Sequence, residues 1–169
     1  MNDAQQIVFE ELQDLQTRIA DNIVKKGRNA SGRTIESMHI DKGDKSITLF
    51  GRKAFGTLET GRGPGNVPKG FYGIIKQWVI DKGLSIKEIP YKRKESEKWH
   101  PIYTPKERGL MSLSGAIATK IANEGTKLYR NGGDDDIYSK EIPKTISSIK
   151  NRLGIMMKAE VVNSIKLNK

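Results

Sequence analysis

Five apolar residues near the start of the chain, Val8, Leu12, Leu15, Ile19 and Ile23, recur at steps of four, three, four and four. That spacing lines them up on one stripe of an α-helix and leaves Glu10, Asp14, Arg18 and Lys25 on the other faces. The pattern predicts an amphipathic helix over residues 3 to 26, stopped at Gly27. A helix of this kind must cover its stripe against another part of the chain or a neighbouring subunit, and that requirement shapes the rest of the reading. The 169 residues are 36% apolar and 30% charged, which leads one to expect a single compact domain over residues 1 to 169 with an economical core.

Downstream, Ser31 is placed to cap a short helix running to Met38. The period then changes. His39-Ile40 and Ser46 to Gly51 carry β-forming residues on either side of the turn-rich Asp41-Lys42-Gly43-Asp44-Lys45, the pattern of a hairpin. Residues 54 to 59 suit a short helix, and Gly61, Gly63, Pro64, Gly65 and Pro68 then force a loop. Phe71, Ile74, Ile75, Trp78 and Val79 restore helical spacing over residues 70 to 82, with Gly83 as a left-handed stop. Residues 87 to 108, with Pro90, Pro101 and Pro105 among many cations, read as a long basic loop or arm. Leu110, Leu113, Ile117, Ile121 and Leu128 mark another helix, ended or kinked at Gly125. In the C-terminal segment, 137 to 169, Ile142, Ile146, Ile149, Leu153 and Met156 alternate steps of four and three, as in a long helix packed on another helix. Pro143 is tolerable there because it falls near the helix start.

Chemistry is harder to find. Gly56 to Arg62 follows a strand with the glycine spacing of a phosphate-binding loop, but Arg62 replaces the lysine, Gly63 replaces the magnesium-binding hydroxyl, and Pro64 follows where a helix is needed. A metal centre would need clustered ligands, whereas His39 and His100 are far apart and there is no cysteine. Asp134, Asp135 and Asp136 lack the alternating ligands of a calcium loop and read as a solvated turn capping the next helix. No serine is placed near a base by anything more specific than composition. The expectation is therefore a non-catalytic protein without cofactor, metal or small-molecule substrate.

Thirty Lys and Arg against twenty Asp and Glu give a net charge of +10, a field that draws nucleic acid, acidic lipid or an acidic protein. Tyr91, Trp99 and Tyr103 interleave with Lys92, Arg93 and Lys94, a mixture able to stack on bases while neutralising phosphates, or to pin the arm to a protein surface. The protein contact is the preferred reading, and a basic nucleic-acid-binding module using the 87–108 arm is the alternative. No run reaches the length of a membrane span, and the first residues lack a secretory signal pattern, so a soluble protein made in the cytoplasm is expected.

Two blocks carry a family resemblance. Gly51-Arg52-Lys53-Ala54-Phe55-Gly56-Thr57-Leu58-Glu59-Thr60-Gly61-Arg62-Gly63-Pro64-Gly65-Asn66-Val67-Pro68, followed by the Trp78 helix from Ile74 to Leu84, resembles the central block of tailed-bacteriophage neck and tail-completion proteins. In these an aromatic-rich segment leads to a glutamate, a Gly-Arg-Gly-Pro loop, a proline and a helix bearing Trp. Ala116 to Tyr129 resembles the helix that follows, and together the matches cover residues 31 to 84 and 110 to 156. The resemblance implies an α+β fold with a small antiparallel sheet flanked by helices. It also implies a virion structural protein that assembles as a homo-oligomeric ring at the portal vertex, joins portal, neck and tail proteins, and encloses the path of packaged DNA. Glu59, Arg62, Gly63, Pro64 and Trp78 are then the expected protein interface, with glycines letting another surface approach closely. The basic arm is longer than the resemblance leads one to expect.

Overall fold

A computed structural model describes residues 3–91, 102–134 and 136–167 of the protein. In chain order it has α1 (Asp3–Lys25), α2 (Arg33–Glu36), β1 (His39–Lys42), β2 (Ile47–Phe50), a 3-10 turn (Lys53–Gly56), α3 (Thr57–Thr60), α4 (Phe71–Asp81), α5 (Pro105–Glu124), α6 (Lys127–Arg130) and α7 (Glu141–Leu167). This is an α+β fold in which helices flank a two-stranded antiparallel sheet. Where one core is expected, the chain condenses around two: one unit is Met1–Thr60 with Asp134–Lys169, and the other is Gly61–Gly133. The lean apolar content is divided between them, and Gly61, Gly132 and Gly133, all at positive φ, turn the chain at the crossings.

The first unit is built on the stripe of α1. Leu15, Ile19 and Ile23 are buried with Met38 and Ile137, and Leu12, Ile35, Leu49, Phe55 and Leu58 pack around them. The end of α1 is a Schellman turn, in which Gly27 N–H donates to Val24 C=O and Arg28 N–H to Ile23 C=O, both at 2.9 Å. The hairpin pairs His39 with Phe50 and Lys42 with Ile47. Ser31 does not cap α2: Gly32, at φ 79°, holds that position, and Asn29 Oδ1 accepts its N–H at 2.9 Å.

The long C-terminal helix does pack on α1, as expected, but its apolar stripe is only partly turned inward. Antiparallel contacts run from Asn22 to Ile137, Arg18 to Thr145 and Glu11 to Ser148 and Arg152. The seam is thus partly polar, with Glu11 and Thr145 buried, while Ile142 and Ile146 of the predicted stripe are exposed and Ile149, Leu153 and Met156 are half-buried. Side chains that find charge-assisted partners across the seam can be buried there, so hydrophobic spacing alone misplaces the inner face in the first turns of the helix.

The second unit pairs α4 with α5 around Ile75, Val79 and Ala118, with Phe71, Leu110, Leu113 and Ile117 at the margin. Gly83 closes α4 as expected, at φ 61°. α5 begins earlier than expected. Pro105 is its first-turn residue, not part of the arm, and Thr104 and Glu107 form a reciprocal capping box. Gly125 ends α5, and Leu128 belongs to the separate α6, capped by Thr126.

Candidate docking surface

The glycine-rich loop is folded onto its own unit. Arg62 N–H donates to Thr126 Oγ1 at 3.0 Å and Thr126 N–H returns to Arg62 C=O at 2.8 Å. Gly65 N–H donates to Ala122 C=O, also at 2.8 Å. A methyl group on Gly61 would lie 2.5 Å from Tyr129 N, and one on Gly63 would meet the Tyr129 ring at 3.2 Å. The close approach anticipated from these glycines is therefore made to α6 of the same unit. Arg62 itself reaches back to Asn66 C=O at 2.5 Å and lies 5.4 Å from the centre of the Phe71 ring. Pro64 is exposed beyond this tie.

Trp78 is the expected interface residue most open to solvent at a shaped surface. Its side of α4 meets Ile117 and Ile121 of α5 and Leu128 of α6 to form an apolar hollow of about 380 Å³, and the residue keeps 38% of its area exposed. Ile74, one turn earlier on α4, is exposed as well. Lys120, Lys127 and Arg130 stand around the hollow. Glu124 ion-pairs with Arg130 and lies 4.0 Å from Lys120.

Glu59 lies in the other unit and points inward. It is only 3% exposed. Its Oε1 accepts the backbone N–H groups of Ile137, Tyr138 and Ser139 at 2.6 to 2.9 Å, and its Oε2 accepts the Ser139 hydroxyl at 2.5 Å. Burial pushes this carboxyl up, but the Ser139 hydroxyl and the three N–H groups outweigh burial and hold it below the ordinary value. Glu59 is a latch on the turn leading to α7. The periodicity of the sequence held no signal for that, because its partners are backbone groups nearly 80 residues away.

Of the basic arm, Lys92, Arg93, Lys94 and Trp99 lie outside the described residues. Tyr91 has the Arg108 guanidinium 5.3 Å from its ring centre, and Tyr103 is exposed. The acidic turn holds no empty cage among the described residues: Asp134 pairs with Arg28, and Asp136 pairs with Lys26 and Lys140, which hold its carboxyl at about 2. Neither of these aspartates caps α7, as was expected of the turn. His39 stacks on Phe50 at the surface, with centroids 5.5 Å apart.

No family model, curated protein or solved structure matches the chain. What distinguishes its surface is therefore read from its own chemistry. Lys and Arg are not evenly shared: the Gly61–Gly133 stretch holds 14 of them against 6 Asp and Glu, or +8 of the total +10. In the first unit, by contrast, Arg18, Lys26, Arg28, Lys140, Lys144 and Arg152 are all engaged by carboxylates. Among the described residues no helix is long and apolar enough to cross a membrane.

Proposed function

We propose that the protein is a non-catalytic subunit of a homo-oligomeric ring, a virion component joining portal or neck to tail around the DNA path of a tailed bacteriophage. One observation carries the assembly part of this reading. α7 exposes Ile155, Met157, Val161, Val162 and Ile165 along its last turns, with Val161 and Ile165 each 59% exposed. The antiparallel register that sets Glu11 against Ser148 and Arg152 brings Asp3 opposite the helix near Lys158. The turns beyond it have nothing of α1 left to lie on. A surface this apolar is the kind that another subunit covers. The resemblance of the Gly51–Pro68 and Ala116–Tyr129 blocks supplies the virion part.

The test is native mass by light scattering, for the chain alone and with a portal ring. A ring in either condition is expected, and Val161→Glu with Ile165→Glu should abolish it while leaving helix content unchanged. A chain that stays monomeric in both conditions sinks the proposal. The second reading, DNA contact through the 87–108 arm, draws on the cationic excess of its unit. It expects Lys92→Ala, Arg93→Ala and Lys94→Ala together to flatten the salt dependence of duplex binding, and an unchanged slope counts against it.

A further inference from the structure

The hollow beside Trp78 combines two properties: a floor of side-chain carbon and a rim of positive charge. Trp78, Ile117, Ile121 and Leu128 supply the floor. Lys120, Lys127 and Arg130 supply the rim, where Glu124 is a single acid among three cations. The surplus is not cancelled elsewhere in the unit, which carries +8. We propose that this hollow docks an acidic segment of a partner protein. One bulky apolar side chain of that segment enters against Trp78, and its carboxylates face Lys120 and Lys127.

Both halves of the surface restrict what can bind. A duplex presents phosphates and sugar edges outward and keeps its bases stacked inside, so apart from thymine methyls recessed in the major groove it offers little apolar surface to fill the floor, and setting phosphates over that carbon would cost solvation without return. An acidic amphipathic segment meets both halves at once. Its apolar anchor displaces water from the floor, and the charge pairs at the margin then act in a drier setting where they strengthen. Trp is also the side chain most often found at the energetic centre of such contacts. The inference deepens the assembly reading by naming one partner's chemistry, and it rests on that reading only in taking the chain as a binding protein. A monomer that still docks such a segment would refute the ring and leave this site standing.

The test uses the full chain with Trp99→Phe, which leaves Trp78 as the single tryptophan. Three probes are titrated: acidic amphipathic peptides with Leu, Phe or Tyr as anchor, the same peptides with Lys in place of Glu, and a short DNA duplex. At least one acidic peptide is expected to shift Trp78 emission to the blue in a saturable way. Lys120→Glu with Lys127→Glu should weaken that binding about tenfold or more. Both lysines are exposed, so the reversal leaves the fold in place, and an unchanged circular dichroism spectrum checks this. Absence of any shift with the acidic peptides overturns the proposal. Equal binding of acidic and basic peptides overturns it too, because the surface would then be merely apolar. Duplex binding that disappears with the two lysine reversals would overturn it by assigning the rim to nucleic acid.

Discussion

Glu59 and Gly61 sit two positions apart and fix different units, which makes their substitutions separable. The carboxylate of Glu59 satisfies three backbone N–H groups, of which that of the fully buried Ile137 would otherwise lack an acceptor away from water. Glu59→Gln keeps one acceptor oxygen but loses the charge and turns an amide toward donors, so a loss of about 2 kcal/mol is expected in denaturant unfolding of the first unit. The sign with pH follows from the depressed carboxyl. Its contribution is complete above the ordinary value of 4.5 and fades as pH falls through the lower folded value, so wild type and variant should converge in acid. At Gly61, φ of 70° and the nearby Tyr129 backbone together forbid a side chain. Gly61→Ala should cost the second unit about 3 kcal/mol, from left-handed strain and overpacking combined. The sequence does announce that residues 61 to 68 form a tight turn. It could not say which surface the turn approaches, because that is fixed by Thr126 and Tyr129, more than 60 residues away.

At the level of elements, α1 follows directly from the period of its apolar residues, since Leu15, Ile19 and Ile23 of its stripe are buried. α4 buries Ile75 and Val79 but leaves Ile74 and Trp78 exposed, and α7 buries its stripe only in part. Its seam with α1 is held by Arg152 bonding Glu10 at 2.6 Å and Glu11 at 3.1 Å, with Ser148 also donating to Glu11. Glu11 is buried, so removing its cation leaves a carboxylate short of compensation. Arg152→Met should destabilise the first unit, by less than the loss of a fully buried pair because the arginine is itself partly exposed and Ser148 remains. Equilibrium unfolding of the single variant, set beside Glu11→Gln and the double variant, checks the coupling, and additive costs would show that the pair is not acting as one. Apolar counting misreads the first turns of such a helix because polar groups with fixed partners share the inner face there and leave Ile142 and Ile146 outward. Pro105 misleads in the opposite way. Among so many cations and prolines it reads as a breaker, although a first-turn proline after Thr104 is a favourable way to begin a helix.

For the whole molecule, charge divides the chain as clearly as packing does. Glu10, Glu11, Glu59, Asp134, Asp136 and Glu141 all titrate below their ordinary values, and all belong to the first unit. In the second unit, Glu107 is depressed by its bonds to Thr104. Groups of this kind stabilise the fold above their ordinary values of 3.8 to 4.5 and stop doing so as pH falls below them. Hydrogen exchange between pH 5.5 and 3 should therefore show protection in α1 and α7 failing before that in α4 and α5, and simultaneous loss would contradict it. The first unit is also discontinuous: its two chain segments close beside each other, where Asp134 N–H donates to Glu59 C=O at 2.9 Å. This imposes an order on biosynthesis. Leu15, Ile19 and Ile23 leave the ribosome more than 100 residues before Ile137, which completes their core. The inserted unit has all its parts by Gly133, so it is the first able to fold, while α1 waits with its stripe uncovered. The nascent chain is thus most open to misassociation along α1, and the span of exposure is the time needed to translate the insertion.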